Sequence, residues 1–143
     1  MLDTADRLEI LDLYARYGWH FDQGKAEEWA ALFTPDGRFL RSNAPDIEGR
    51  EGLADLCRQR QAKTPGLRHL TSNVTLEPAN DGARGRAYVL VVRIGDDGSL
   101  RVFTLGDYDD ELVKLPDGWR FQRRTFSHWL APELVDSALL VTS

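Results

Sequence analysis

The amino-acid sequence predicts an α+β domain in which helices come first and a curved antiparallel sheet follows. Three observations lead there. Apolar residues recur every three or four positions in the first half and every second position from Leu67 onward. Turn signatures then divide the second half into long strands joined by short connections. Finally, 143 residues, 42% of them hydrophobic, suffice for one core, and no linker-like shift in composition divides them.

Asp3 or Thr4 can cap a first helix. On it Leu8, Leu11, Ala15 and Gly18 line one side, and Ile10, Tyr14, Tyr17 and Phe21 widen that side into a stripe. A second helix, Lys25 to Phe33, turns Ala26, Trp29, Ala30 and Phe33 inward. Thr34-Pro35-Asp36-Gly37 reads as a turn, Arg38 to Arg41 as a short strand and Asn43-Ala44-Pro45 as a loop. A third helix, Arg50 to Ala62, groups Leu53, Leu56 and Cys57 until Thr64-Pro65-Gly66 stops it. Strands follow over Leu67 to Leu76, Ala83 to Ile94, Ser99 to Lys114 and Trp119 to Trp129. Their connections, Asn80-Asp81-Gly82, Gly95-Asp96-Asp97-Gly98 and Pro116-Asp117-Gly118, are short enough to force an antiparallel meander. The expected organisation is a single domain over 1–143, with a core at 5–130 and a tail at 131–143 that wraps over it.

The strand ending at Ile94 is apolar on both faces: Tyr88, Leu90, Val92 and Ile94 on one, Ala87, Val89 and Val91 on the other. Such a strand needs two covering layers, and three helices supply only one. A second copy of the chain is therefore expected on the outer face, as a homo-oligomer.

Composition excludes several classes of function. A formal charge of -5 argues against a nucleic-acid partner. Cys57 is the single cysteine, so neither an intrachain disulfide nor a Cys-rich metal site is available. No apolar run approaches the roughly 20 residues of a membrane span. The acidic Met1–Asp6 segment lacks the features of a signal peptide, which makes the expected location cytoplasmic.

Two residues stand out chemically. Asp22 continues the step from Leu8 through Gly18 into a position expected to be apolar, where a carboxylate is costly unless paired. The alternative is a solvated Asp22-Gln23-Gly24 turn. His69 shares a strand side with Leu67, Thr71 and Asn73, opposite Leu70, Val74 and Leu76, which fits a cavity wall or a solvent-facing surface. In a cavity it would be the natural proton-transfer residue. His20, His69 and His128 lack ligand spacing, so no metal is expected. Arg124 shares a side with Phe126 and His128, and Tyr108 with Asp110; each set points either inward or outward. Trp29 and Trp119 read as core aromatics, and no phosphate loop or nucleophile elbow is present.

The run Tyr17 to Gly37 contains Phe21-Asp22, Trp29 and Leu32-Phe33-Thr34-Pro35-Asp36-Gly37. Downstream come Arg68-His69 with Asn73, Gly106-Asp107-Tyr108-Asp109-Asp110, Gly118-Trp119-Arg120-Phe121 and Arg123-Arg124. In this order the motifs resemble the SnoaL-like branch of the nuclear transport factor 2-like superfamily, which includes scytalone dehydratase and the hexachlorocyclohexane dehydrochlorinase. The resemblance spans Leu8 to Trp129. It implies a cystatin-like α+β roll: a cone-shaped sheet wrapped around the N-terminal helices, with a deep pocket inside. It also implies that Asp22 and His69 face each other across that pocket, with Asn73 keeping its spacing after the histidine. Arg124 falls on a pocket arginine and Tyr108 on a pocket aromatic. There are departures: Phe21 stands where scytalone dehydratase has a tyrosine, Ile94 where it has a second histidine, and Tyr17 where the dehydrochlorinase has a lysine. Neither reaction is carried over.

The function expected from these readings is a lyase or isomerase that needs no cofactor. Asp22, His69 and Arg124 form its catalytic set. Tyr14, Tyr17, Phe21, Phe33, Asn73, Tyr108 and Phe126 are expected to hold a small hydrophobic, cyclic or aromatic molecule. The alternatives are a small-molecule-binding or interaction module without chemistry, or a partner resembling the small subunit of a ring-hydroxylating dioxygenase.

Overall fold

The structure, a computed structural model, describes residues 1–130; the tail expected over 131–143 lies outside the described residues. Helix α1 (Thr4–Asp22) begins at a capping box: Asp3 accepts from the Asp6 N–H at 2.8 Å, and Asp6 accepts from the Asp3 N–H at 3.3 Å. Its buried row is Ile10, Leu13, Tyr14, Tyr17 and Phe21. The expected row is displaced: Leu8 and Leu11 are 63% and 43% exposed. The aromatic row has the larger apolar surface and takes the core. The smaller row through Leu11, Ala15, Gly18 and Asp22 borders a groove instead.

Helix α2 (Ala26–Ala30) is shorter than expected, because Phe33 opens strand β1 (Phe33–Arg41). Ala26, Trp29, Ala30 and Phe33 are nevertheless all buried. Thr34–Gly37 is an irregularity inside β1 rather than a turn before it, since pairing with the last strand, Gly118–His128, resumes at Arg38. A second unexpected strand, β2 (Ala44–Glu48), pairs antiparallel with β1. Pro45 hid it, but β2 lies at the sheet edge, where proline is tolerated.

Helix α3 (Arg50–Lys63) buries Leu53, Ala54, Leu56 and Cys57. The meander then comprises β3 (Leu67–Ala79), β4 (Gly82–Ile94), β5 (Leu100–Leu115) and β6 (Gly118–His128). The six-stranded sheet runs β2-β1-β6-β5-β4-β3, with β1 parallel to β6 and every other pair antiparallel.

Strand β3 does not keep one phase. Pairing with β4 is irregular between Ser72 and Thr75, and Asn73 has φ of 56°. This bulge exchanges the two faces. Leu67 and His69 turn toward the core before it, Val74 and Leu76 after it, and Asn73 itself is exposed. Across the meander Ala87, Val89, Tyr108 and Phe126 fill the concave side. The outer face exposes Leu70, Tyr88, Val102 and Trp129.

Candidate functional site

The site forms where α1 crosses β3. Gly18 faces the strand here, and a Cβ on it would meet the His69 Cβ at an ordinary contact distance of 3.6 Å. One turn later, Asp22 grips His69 twice. Its Oδ2 accepts from the His69 backbone N–H at 2.9 Å, and its Oδ1 meets Nδ1 at 2.7 Å. Gln61 on α3 fixes the end of α1 by donating to the carbonyls of Phe21 (2.9 Å) and Asp22 (3.3 Å). Those carbonyls belong to the last helical turn and have no partner within the helix. The carboxylate therefore sets both the rotamer and the tautomer of the imidazole, with the proton on Nδ1. Among the described residues Nε2 has no partner. The side chains of Asp22 and His69 are 10% and 11% exposed, so the pair is neither sealed in hydrocarbon nor bathed in water.

His69 stands between two concavities. The α1/β3 groove holds Asp22, Gly18 and Trp19 on one side of it. On the other side lies a cavity of about 360 Å³ inside the sheet, lined by Tyr17, Phe21, Tyr108 and Phe126 among others. This volume falls within the roughly 300–1,000 Å³ range of small-molecule sites. Burial, the largest influence on both, raises the hydroxyl pKa values of Tyr17 and Tyr108, so both stay protonated and able to donate.

Four expected site residues do not line the cavity. Phe33 is fully buried against Tyr17, Trp29 and Phe121 and packs the core behind the cavity. The bulge turns Asn73 away to the surface. The Tyr14 hydroxyl donates to Asp110 instead of facing a ligand. Gly85 makes room for that bond, because a Cβ there would overlap the hydroxyl. Arg124 is 1% exposed and forms a bidentate pair with Asp110, both bonds at 2.8 Å. Its guanidinium lies against Tyr108 and Tyr17, 3.5 and 4.3 Å from the ring centroids, and so reaches the cavity only through them. Burial opposes its charge, yet the Asp110 carboxylate holds its pKa well above the ordinary value.

The structure adds residues that the sequence reading passed over. The resemblance left a second pocket histidine missing at Ile94, which ends β4 at the surface. His128 on β6 lines the cavity instead. Its Nδ1 lies 2.8 Å from the Thr104 hydroxyl. Burial, and then Arg41, lower its pKa, which leaves the ring neutral at neutral pH. Strand alternation already placed His128 on the side of Arg124 and Phe126. Arg41 and Arg60 line the cavity as well. Among the described residues no three His, Cys, Asp or Glu side chains cluster as metal ligands. Nor is any described helix long and apolar enough to cross a membrane.

A six-stranded sheet curled over helices around an aromatic cavity is the α+β roll of the nuclear transport factor 2-like superfamily. Residues 3–125 match the SnoaL-like domain, and the chain belongs to that family. The uncharacterized protein Rv2910c of Mycobacterium tuberculosis is 30% identical over 125 residues, 85% of this chain and 84% of that protein. The anthranilate 1,2-dioxygenase small subunit of Burkholderia cepacia is 27% identical over 139 residues, covering 85% of this chain and 86% of the subunit. Among solved structures, an aspartate-to-asparagine variant of Rv3472, a protein of unknown function from Mycobacterium tuberculosis, superposes with a TM-score of 0.83 at 29% identity. That match covers 97% of this chain and 80% of the other. A Catenulispora acidiphila protein in complex with S-DNPA gives 0.79 at 28% identity, over 88% of this chain and 95% of that one.

Proposed function

We propose that the chain is a lyase or isomerase that moves a proton on a small hydrophobic, cyclic or aromatic molecule bound in the cavity. The observation that carries this reading is His69 in the cavity wall, held from the adjoining groove by the 2.7 Å contact with Asp22, with Nε2 left unpartnered among the described residues. Nε2 removes a proton from a carbon beside a carbonyl or opposite a leaving group. The Asp22 carboxylate stabilises the imidazolium that forms, without itself taking the proton. The Tyr17 and Tyr108 hydroxyls, backed by Arg124, donate to the oxygen on which charge develops. His128, neutral and tethered to Thr104, supplies a further polar contact in the cavity. The likeness to a structure solved as a ligand complex supports the cavity as a ligand site.

The test is proton exchange at the acidic carbons of 2-tetralone in D₂O, followed by NMR. The wild-type chain accelerates exchange, and His69→Ala and Asp22→Asn each lower the rate by about 10²- to 10⁴-fold. Undiminished exchange in both variants discards the mechanism.

The match to a dioxygenase small subunit favours a second reading, in which the chain assists a larger enzyme through its exposed outer face. Under it, affinity capture retrieves a larger iron–sulfur subunit; under the first, the outer face pairs only with a second copy of this chain.

A further inference from the structure

We propose that the cavity selects an aromatic anion, whose carboxylate or comparable group is bound by Arg41 and Arg60 while its rings lie inward. This rests on the cavity being the ligand site, and it adds the chemical class of the ligand. Arg41 ends β1 and Arg60 lies near the end of α3. Both side chains line the cavity and also the surface groove between β2 and α3, so they stand at its rim. Neither has a carboxylate within ion-pair distance among the described residues. The acids of that groove are engaged elsewhere or lie out of reach: Asp46 faces Arg38 at 3.8 Å, Asp55 takes Arg58 at 2.8 Å, and Glu48 pairs with neither cavity arginine.

What the two guanidinium groups touch is aromatic. Arg41 lies 5.7 Å from the centroid of Phe39, and Arg60 lies 5.8 Å from that of Phe103. Arg41 spends one nitrogen on the Pro45 carbonyl at 2.9 Å, and its Nε is buried without a partner. Burial, and then the neighbouring Arg60 charge, lower the pKa of Arg41. Two like charges half-buried beside an apolar cavity cost free energy until an anion joins them. The planar forks of arginine suit a carboxylate, and the aromatic walls suit the ring that carries it. Arg124 shows the contrast, because its carboxylate partner is built into the chain.

Binding of 1-naphthaleneacetate and of its neutral isostere, 1-naphthaleneacetamide, to the 143-residue chain tests the proposal by calorimetric titration. The acid is expected to bind about tenfold more tightly than the amide, with an advantage that shrinks as salt is raised. Arg41→Gln and Arg60→Gln each cut that advantage about threefold, and the double variant abolishes it, while an unchanged far-UV circular dichroism spectrum reports an intact fold. Equal affinity for the two probes, failure of both to bind, or an advantage that survives the double variant would overturn the assignment. His69→Ala separates this inference from the proton-transfer reading: exchange is lost while the preference for the acid remains. Unimpaired proton exchange in the His69 and Asp22 variants sinks that reading alone; a missing preference for the acid sinks this one alone.

Discussion

Asp22 and Asp110 each hold a side-chain nitrogen within 2.8 Å, but they leave different things unfinished. Asp110 takes both nitrogens of the Arg124 fork and the Tyr14 hydroxyl, with neither charged side chain more than 1% exposed. Every strong donor around it is spent inside the protein. Asp22 spends itself on one residue, His69, whose other ring nitrogen has no partner among the described residues. Opening a buried ion pair closed on all sides leaves an uncompensated charge, whereas an imidazole with a free nitrogen is available for chemistry. Residue types alone do not separate the two cases, since both pair a carboxylate with a cationic or ionisable partner.

The largest effect should come from opening the closed pair. Arg124→Leu leaves Asp110 buried and uncompensated, and is expected to cost about 3–5 kcal/mol in denaturant unfolding. A loss below about 1 kcal/mol would show that the pair is not a structural centre. Asp22→Asn is expected to stay within about 1 kcal/mol of wild-type stability in the same measurement, because the amide oxygen keeps one of the two bonds from His69 and the site is partly open to water. A loss as large as that of Arg124→Leu would erase the distinction between the pairs.

The smallest effect concerns a third carboxylate, Asp6, at the foot of α1. It accepts from Trp119 Nε1 at 3.0 Å and Lys114 Nζ at 2.9 Å, and these bonds hold its pKa below the usual carboxylate range. The folded state thus binds fewer protons than the unfolded state, whose Asp titrates near pH ~3.9. The contribution is complete above that pH and is lost as pH falls through the depressed folded value. Tm profiles of the wild type and Asp6→Asn should therefore differ at neutral pH and converge in acid. A gap that widens in acid would show that the sign is wrong.

Much of the site could be read in the sequence because strand and helix periods carry it. Asp22 broke an apolar step, His69 had a defined strand side, and Arg124 was rightly one of the residues that could turn inward. What the spacing could not supply was closure. Whether Arg124 meets a ligand or a carboxylate depends on the β5–β6 register that sets Asp110 opposite it. Asn73 failed for a related reason: a single left-handed residue shifts the phase of β3, and asparagine tolerates that conformation without any run of turn residues to announce it. β2 was missed because five residues containing a proline give too little alternation. Arg41 and Arg60 went unremarked because their significance lies in having no carboxylate partner among the described residues, which only packing reveals.

The bulge in β3 has a consequence at the rim of the sheet. β3 is an outermost strand, and a long regular one would offer its free peptide groups to any neighbouring chain. Asn73 interrupts that row near the middle of the strand, and Pro78 removes a donor near its end. Strand-by-strand growth of the sheet is thereby discouraged on this side, which guards against runaway β-aggregation.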